Sequence, residues 1–401
     1  MDTVRRKFEL LLFSALFILG PLCAASAPTP AAPDSVSAGR DSAVLPDTAT
    51  AKKTLWRKFI DYFADANKEK PAKKFDFSII GGPNYSEDTK FGIGLVAAGL
   101  YRTSAEDTLL PPSDVSLYGN ISTSGFYLIG IRGNNLFPHD KYRLLYNMNF
   151  YSFPGAFWGI GYHQGNDDGN QSKYTREQYS IKANFLIRSA RNLYIGPIVS
   201  YDYAEGKDFE RIELLDGQDR VMQNIGAGFT LMYDSRDVTT APARGVYLKG
   251  EQRFFPAFLG NRYAFSRTDL TADWYKAVWK GGVVALDFHS QFNYGRVPWT
   301  MMASLGGSSR MRGYYEGRYR DRNLVEAQVE LRQKVWRRNG IAVWAGAGNV
   351  FRNFDTFDWG HTLPNFGVGY RWEFKKRVNI RLDLGFGRNG SGFVFNINEA
   401  F

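Results

Sequence analysis

From Phe75 to Phe401 apolar and polar residues alternate with a period of two, segment after segment. In NLVEAQVELR (323–332), Leu324, Glu326, Gln328, Glu330 and Arg332 share one face, and Val325, Ala327, Val329 and Leu331 the other. In RVNIRLDLGF (377–386), Val378, Ile380, Leu382, Leu384 and Phe386 alternate with Asn379, Arg381 and Asp383. Side chains on a strand point to opposite faces in turn, so each strand carries one apolar face and one charged face. A soluble sandwich would hide its apolar faces between two sheets. Here the other face carries Glu, Arg, Asp and Asn repeatedly, and aromatics crowd towards strand ends (Tyr142 and Tyr151, Tyr194 and Tyr203, Trp274 and Trp279, Trp336 and Trp344). Apolar outside, charged inside and aromatic at the rims is the pattern of a transmembrane β-barrel.

The alternation predicts sixteen strands, an even number as such barrels require. They fall near 75–82, 90–101, 115–131, 140–153, 156–163, 174–188, 192–204 and 222–234. The remainder fall near 245–256, 262–279, 282–293, 323–336, 340–349, 363–374, 378–388 and 393–401. With a periplasmic N-terminus, the longer connections at 164–173, 205–221, 294–322 and 352–362 lie outside. Pro154–Gly155, Gly281, Trp336–Gly340 and Lys375–Arg377 form short periplasmic turns, and 102–114 is the exception. The last strand, FVFNINEAF (393–401), puts Phe393, Phe395, Ile397 and Phe401 on one face.

The N-terminus reads as an export signal. Arg5, Arg6 and Lys7 precede an apolar run from Leu10 to Leu22 and small residues from Cys23 to Ala27, which predicts a signal peptide over 1–25. The bulky Leu22 argues against lipid attachment at Cys23. Cleavage would remove that cysteine, the single one in the sequence, so neither disulfide nor thiolate chemistry is expected. Residues 26–53 read as a disordered linker rich in Ala, Pro, Ser, Thr and Asp, and 54–67 (TLWRKFIDYFADAN) as a short amphipathic periplasmic helix. The chain carries a net charge of +10. Export, together with basic residues scattered along strands, argues against nucleic acid as a partner.

No enzymatic signature emerges. The four histidines form no metal-spaced cluster, and no Gly-x-Ser-x-Gly elbow occurs. His289 and Ser290 are neighbours on a strand, so they face opposite ways and make no dyad. The expectation is a non-enzyme without cofactor or metal.

Two segments carry a family resemblance. GAGFTLMYDSRDVTTAPARGVYLKG (226–250) runs strand, acidic-basic turn, Pro-x-Arg-Gly, strand. GGSSRMRGYYEGRYRDRNLVEAQVELR (306–332) holds an Arg-Gly-Tyr core followed by a strand with spaced glutamates. Both resemble the barrel domain of the BamA/TamA outer-membrane assembly-factor superfamily, of the bacterial surface antigen type, over roughly 75–401. The resemblance implies that the first segment is the turn between strands 8 and 9, and the second the long loop between strands 11 and 12, the positions that the strand count gives them.

It further implies that the long loop folds back into the lumen, with Arg312, Gly313 and Tyr314 as its anchor. An arginine in a dry lumen requires carboxylates, and Glu326 or Glu330 on the next strand supplies one. The family's second acid, on strand 13, has no counterpart at Gly346. Asp234, Arg236, Asp237 and Gly245 are expected to fix the strand 8–9 turn, and Phe401 to serve as the barrel-assembly signal. The implied partners are the lipid bilayer, client or accessory outer-membrane and periplasmic proteins, and the machinery that inserts the barrel itself. Residues 26–74 leave no room for the polypeptide-transport-associated domains of assembly factors. Three functions are expected in a Gram-negative outer membrane: assembly or translocation through a lateral seam between the first and last strands, a channel or transporter gated by loop 294–322, or a structural membrane subunit of a larger complex.

Overall fold

A computed structural model describes residues 75–86, 89–103, 113–388 and 390–401, all within one compact unit, Leu55–Phe401. The expected signal peptide, linker and helix lie outside the described residues. The fold is one antiparallel sheet of sixteen strands, each paired with its neighbour in sequence. The strands are β1 (Phe75–Ser86), β2 (Lys90–Tyr101), β3 (Ser113–Ser122), β4 (Tyr127–Leu136), β5 (Tyr142–Phe157), β6 (Ser172–Ala190), β7 (Leu193–Lys207) and β8 (Val221–Asp234). They continue as β9 (Gly245–Phe255), β10 (Phe265–Trp279), β11 (Gly282–Gly295), β12 (Asn323–Trp336), β13 (Asn339–Phe351), β14 (Leu363–Lys375), β15 (Val378–Gly387) and β16 (Gly390–Ile397). No ladder joins β16 back to β1 among the described residues. The two edges do approach, since a Cβ on Gly82 would lie 3.9 Å from the Phe395 ring.

The alternation sorts as the sequence predicts. Phe91, Ile93, Leu117, Ile129, Ile195, Val199, Phe229 and Val343 are exposed on the outer face, whereas Glu251, Arg253, Asp287, Glu330, Arg371, Arg381 and Asp383 are buried on the inner one. Outward apolar side chains suit hydrocarbon, and inward charges survive because each finds a partner. Trp344, expected at a rim, instead faces the lumen and is buried.

The strand count of sixteen conceals two compensating errors. The expected third strand, 115–131, is two strands joined by a tight connection at 123–126, and the expected fourth and fifth, 140–153 and 156–163, give way to the single strand β5, which ends at Phe157 and leaves 158–163 in the connection that follows. Pro154–Gly155 looks like a turn but pairs with Thr175 and Tyr174 of β6. The physical reason is an edge. β4 pairs with β5 only as far as Tyr127↔Ser152, while the β5–β6 ladder continues to Phe157↔Ser172. Beyond Ser152 one side of β5 is therefore free of strand. The Ala156 N–H on that side donates to the Tyr315 hydroxyl (2.9 Å). Pro154 has the same parity, so its missing N–H costs no ladder bond.

The end of the chain also departs from expectation. β16 stops at Ile397, Asn398 adopts φ +71°, and the chain leaves the strand. Ala400 is buried, and Phe401 comes to rest beside the lumen-facing Tyr275 and Arg332 instead of on the outer face with Phe393 and Phe395.

Candidate functional site

The loop between β11 and β12, residues 296–322, enters the lumen as a closed excursion. Ala303–Ser304 pairs antiparallel with Arg320–Asp321, and the tip between them is held by Leu305 N–H to Tyr319 O (2.9 Å) and Gly317 N–H to Leu305 O (3.0 Å). Its apolar residues Leu305, Met311, Tyr314 and Tyr319 pack against Leu324, Val350 and Leu363 of the wall. Trp299 packs with Phe157, Tyr174 and Tyr263.

Glycine is required where the tip meets the wall. Gly313 has φ +108°, and a Cβ there would lie 2.7 Å from the backbone of Gly385 and Phe386 on β15. Conversely, a Cβ on Gly385 would lie 2.4 Å from the Arg312 carbonyl oxygen. Loop and wall thus touch backbone to backbone, which only glycine on each side allows. Tyr314 completes the contact: its hydroxyl donates to Pro364 O (2.7 Å) and accepts from Arg388 N–H (2.9 Å).

This contact carries Arg312 to the barrel wall. Its Nη2 donates to Glu330 Oε2 and its Nη1 to Asp383 Oδ2, each at 2.6 Å. Its guanidinium lies 3.6 Å from the centre of the Trp344 ring. All three charged side chains are fully buried. The two acids are shared further. Arg332 donates to Glu330 (2.7 Å) and Arg381 to Asp383 (2.8 Å), while Arg371 bridges both and reaches Glu399 (2.8 Å). Four guanidiniums and three carboxylates from the loop, β12, β14, β15 and the C-terminal tail thus form one lumen network. Buried charges are tolerable because opposite charges alternate within it.

Of the two glutamates expected to face Arg312, Glu330 does so. Glu326 does not: it sits opposite His289 in the β11–β12 register and lies 2.8 Å from its Nδ1. A second acid is present although Gly346 supplies none, because Asp383 on β15 provides it. At Gly346 the space is taken by Asn365 and Gln328. Asp383 was legible as an inward residue of RVNIRLDLGF, but strand alternation cannot say which acid a distant loop will reach. Glu399 and Arg371 were likewise missed. Arg310 supplies a second anchor, forked onto Asp287 (2.7–3.0 Å), and Arg318 a third, onto Asp168 (2.6 Å) of the 158–171 connection.

The β8–β9 turn holds its four expected residues in a local network. Arg236 forks onto Asp234 (both 2.9 Å) and lies over Tyr247. Asp237 Oδ1 accepts from the Val238, Ala243 and Arg244 amides, and Oδ2 from Arg377 on the β14–β15 turn (2.5 Å). Burial pulls the Asp237 carboxyl upward, but the Ala243 and Arg244 amides and the Arg377 guanidinium outweigh it and hold it below its ordinary value. Gly245, at φ +112°, would set a Cβ 2.3 Å from Ser235 O. The turn also reaches the chain end, where Glu399 N–H donates to Thr240 O (3.1 Å). Phe401 O accepts from Arg332 Nη2 (3.0 Å).

The Omp85 superfamily domain matches residues 132–401. No curated protein matches the chain. Among solved structures, BamA from Haemophilus ducreyi lacking POTRA domains 1–3 is similar at 12% identity, covering 82% of this chain and 71% of that one, with a TM-score of 0.55. CdiB from Acinetobacter baumannii (12% identity, 82% and 60% covered, TM-score 0.52) and CdiB from Escherichia coli (11%, 82% and 64%, 0.52) are similar too. The chain therefore spans less than two thirds of either CdiB chain. At such identity these likenesses speak for the fold alone. With a superfamily domain matched over more than half of its length, the chain belongs to the Omp85 superfamily.

Proposed function

We propose that this barrel acts in outer-membrane protein assembly or translocation in a Gram-negative bacterium, through a lateral seam between β1 and β16. The observation that carries this reading is the interrupted ladder. Among the described residues every other neighbouring strand pair is hydrogen-bonded, whereas β16, with 8 residues the shortest strand of the sheet, forms no ladder with β1. An unpaired edge is a template for another strand. In this reading Arg312 is the anchor that holds loop 294–322 against the wall next to that edge, and Glu330 its counter-charge. Phe401, turned inward beneath Arg332, would be available as an assembly signal in the unfolded chain and not in the finished barrel.

The test is a bridge across the seam. Gly82 on β1 lies beside the Phe395 ring of β16. Cysteines placed at Gly82 and Phe395 and joined by a short bis-maleimide should stop a reporter barrel from folding in proteoliposomes, with recovery when a cleavable linker is cut. Equal folding with and without the bridge would rule the seam out. The second reading, a channel gated by 294–322, draws support from the charged lumen that the loop occupies. It requires that deleting the loop raise conductance in planar bilayers.

A further inference from the structure

At the end of the barrel where the long loops gather, a cavity of about 530 Å³ lies between the base of the lumen loop and the β5–β6, β7–β8 and β13–β14 connections. Three guanidiniums line it: Arg296, Arg322 and Arg352. They differ from the loop arginines described above. Arg310, Arg312 and Arg318 each hold a carboxylate in a direct ion pair, whereas none of these three does so among the described residues, Arg322 and Arg352 feeling the Asp321 charge only from further off. Arg296 lies over the Tyr263 ring at 4.1 Å, and the Arg322 guanidinium reaches the Asn353 amide oxygen at 3.5 Å. Two carboxylates, Asp216 and Asp321, line the same space, and Asp321 acts on Arg322 and Arg352 through space without a direct ion pair. Asp321 is buried and accepts from the Arg322 main-chain N–H (2.8 Å). Val297 and Met302 add an apolar patch.

We propose that this cavity binds a phosphorylated sugar. Guanidiniums that no carboxylate holds in a direct ion pair keep forked donors free for phosphate oxygens. Carboxylates that face the same space accept hydroxyl protons, and the apolar patch suits the C–H face of a pyranose ring. A bare inorganic anion would gain from the arginines but would meet the two aspartates with nothing to offer them, so the mixed lining favours a sugar that bears the charge. The volume falls within the range for small-molecule sites. The same chemistry is offered by a soluble sugar phosphate and by the phosphorylated disaccharide headgroup of a lipid.

The experiment is calorimetric titration of the intact protein in nanodiscs of phosphatidylethanolamine and phosphatidylglycerol, with glucose 1-phosphate and with inorganic phosphate as probes. The expected result is binding of the sugar phosphate more tightly than of phosphate, weakened at ~1 M salt. Arg296→Gln combined with Arg352→Gln should weaken it at least about tenfold, with the heat-modifiable gel shift of the barrel retained. Repeating the titration in nanodiscs that contain lipid A separates the two sources: competition assigns the lipid headgroup, and undiminished binding assigns a soluble ligand. The proposal is overturned if glucose 1-phosphate does not bind in the lipid A-free discs. Affinity that is indifferent to salt in the unaltered protein, or unchanged in the folded double variant, overturns it equally.

Discussion

Replacing Arg312 by alanine tests the lumen anchor directly. The substitution removes two charge-assisted hydrogen bonds of 2.6 Å and a guanidinium 3.6 Å from the Trp344 ring centre. Hydrogen bonds to charged groups contribute about 1.5–3 kcal/mol each, and a desolvated cation–π contact about 2 kcal/mol. Against that, neither acid is orphaned: Glu330 keeps Arg332 at 2.7 Å, and Asp383 keeps Arg381 at 2.8 Å. The net cost should therefore sit near the lower end of the range for breaking a buried pair, about 3 kcal/mol. That corresponds to a shift of roughly 10²-fold in the equilibrium between docked and released loop. Hydrogen exchange reads it at the Leu305 and Gly317 amides, whose bonds close the loop tip. In Arg312→Ala these amides should exchange roughly 10²-fold faster while the β6–β7 ladder is unchanged. Arg312→Lys should fall between, since an ammonium cannot fork across two carboxylates. Loop amides exchanging at the wild-type rate in Arg312→Ala would refute the anchoring argument.

Four further outcomes are expected. Glu330→Gln should loosen the loop in the same exchange assay, whereas Glu326→Gln, which touches His289 instead of Arg312, should leave it docked. Gly313→Ala should release the tip with Arg312 intact, because its Cβ would lie 2.7 Å from the β15 backbone; loop protection should fall as far as in Arg312→Ala. Gly245→Ala forces a Cβ to 2.3 Å from Ser235 O at φ +112° and should lower stability by about 1–3 kcal/mol, seen as an earlier thermal loss of the heat-modifiable form. Asp237 has a depressed carboxyl value when folded, so its contribution is complete above the ordinary value of ~3.9 and disappears as pH falls through the folded value. The difference in thermal transition between wild type and Asp237→Asn should accordingly be present at neutral pH and vanish in acid.

The fold was legible because strand alternation is a local signal repeated many times. Where it failed, a second local signal competed with it. Pro154–Gly155 carries strong turn chemistry, and only the premature end of β4, a neighbour in space, makes a proline harmless there. The true turn at 123–126 lies inside a run that the alternation carries straight across. The site divides in the same way. Glu330 was accessible because it lies on the strand that directly follows the loop. Asp383 lies 71 residues beyond Arg312, and its role depends on how deep the tip descends, which the glycine contact at Gly313 and Gly385 decides. The tail was misread because Phe401 keeps the parity of Phe393, Phe395 and Ile397, and one left-handed residue, Asn398, cancels that parity.

The distribution of the loop's anchors has a mechanical corollary. Its four ion pairs end on Asp287, Glu330, Asp383 and Asp168, that is, on β11, β12, β15 and the connection after β5. Together with Glu399 they act as a cross-brace that stiffens one side of the cylinder, including the strand next to the last. None of these four ties reaches β1 to β4, which the ladder joins to the braced staves only at β5. If the seam proposed above yields, the movement should be a hinge-like swing of the first hairpins about β5, with β16 as the stationary jamb.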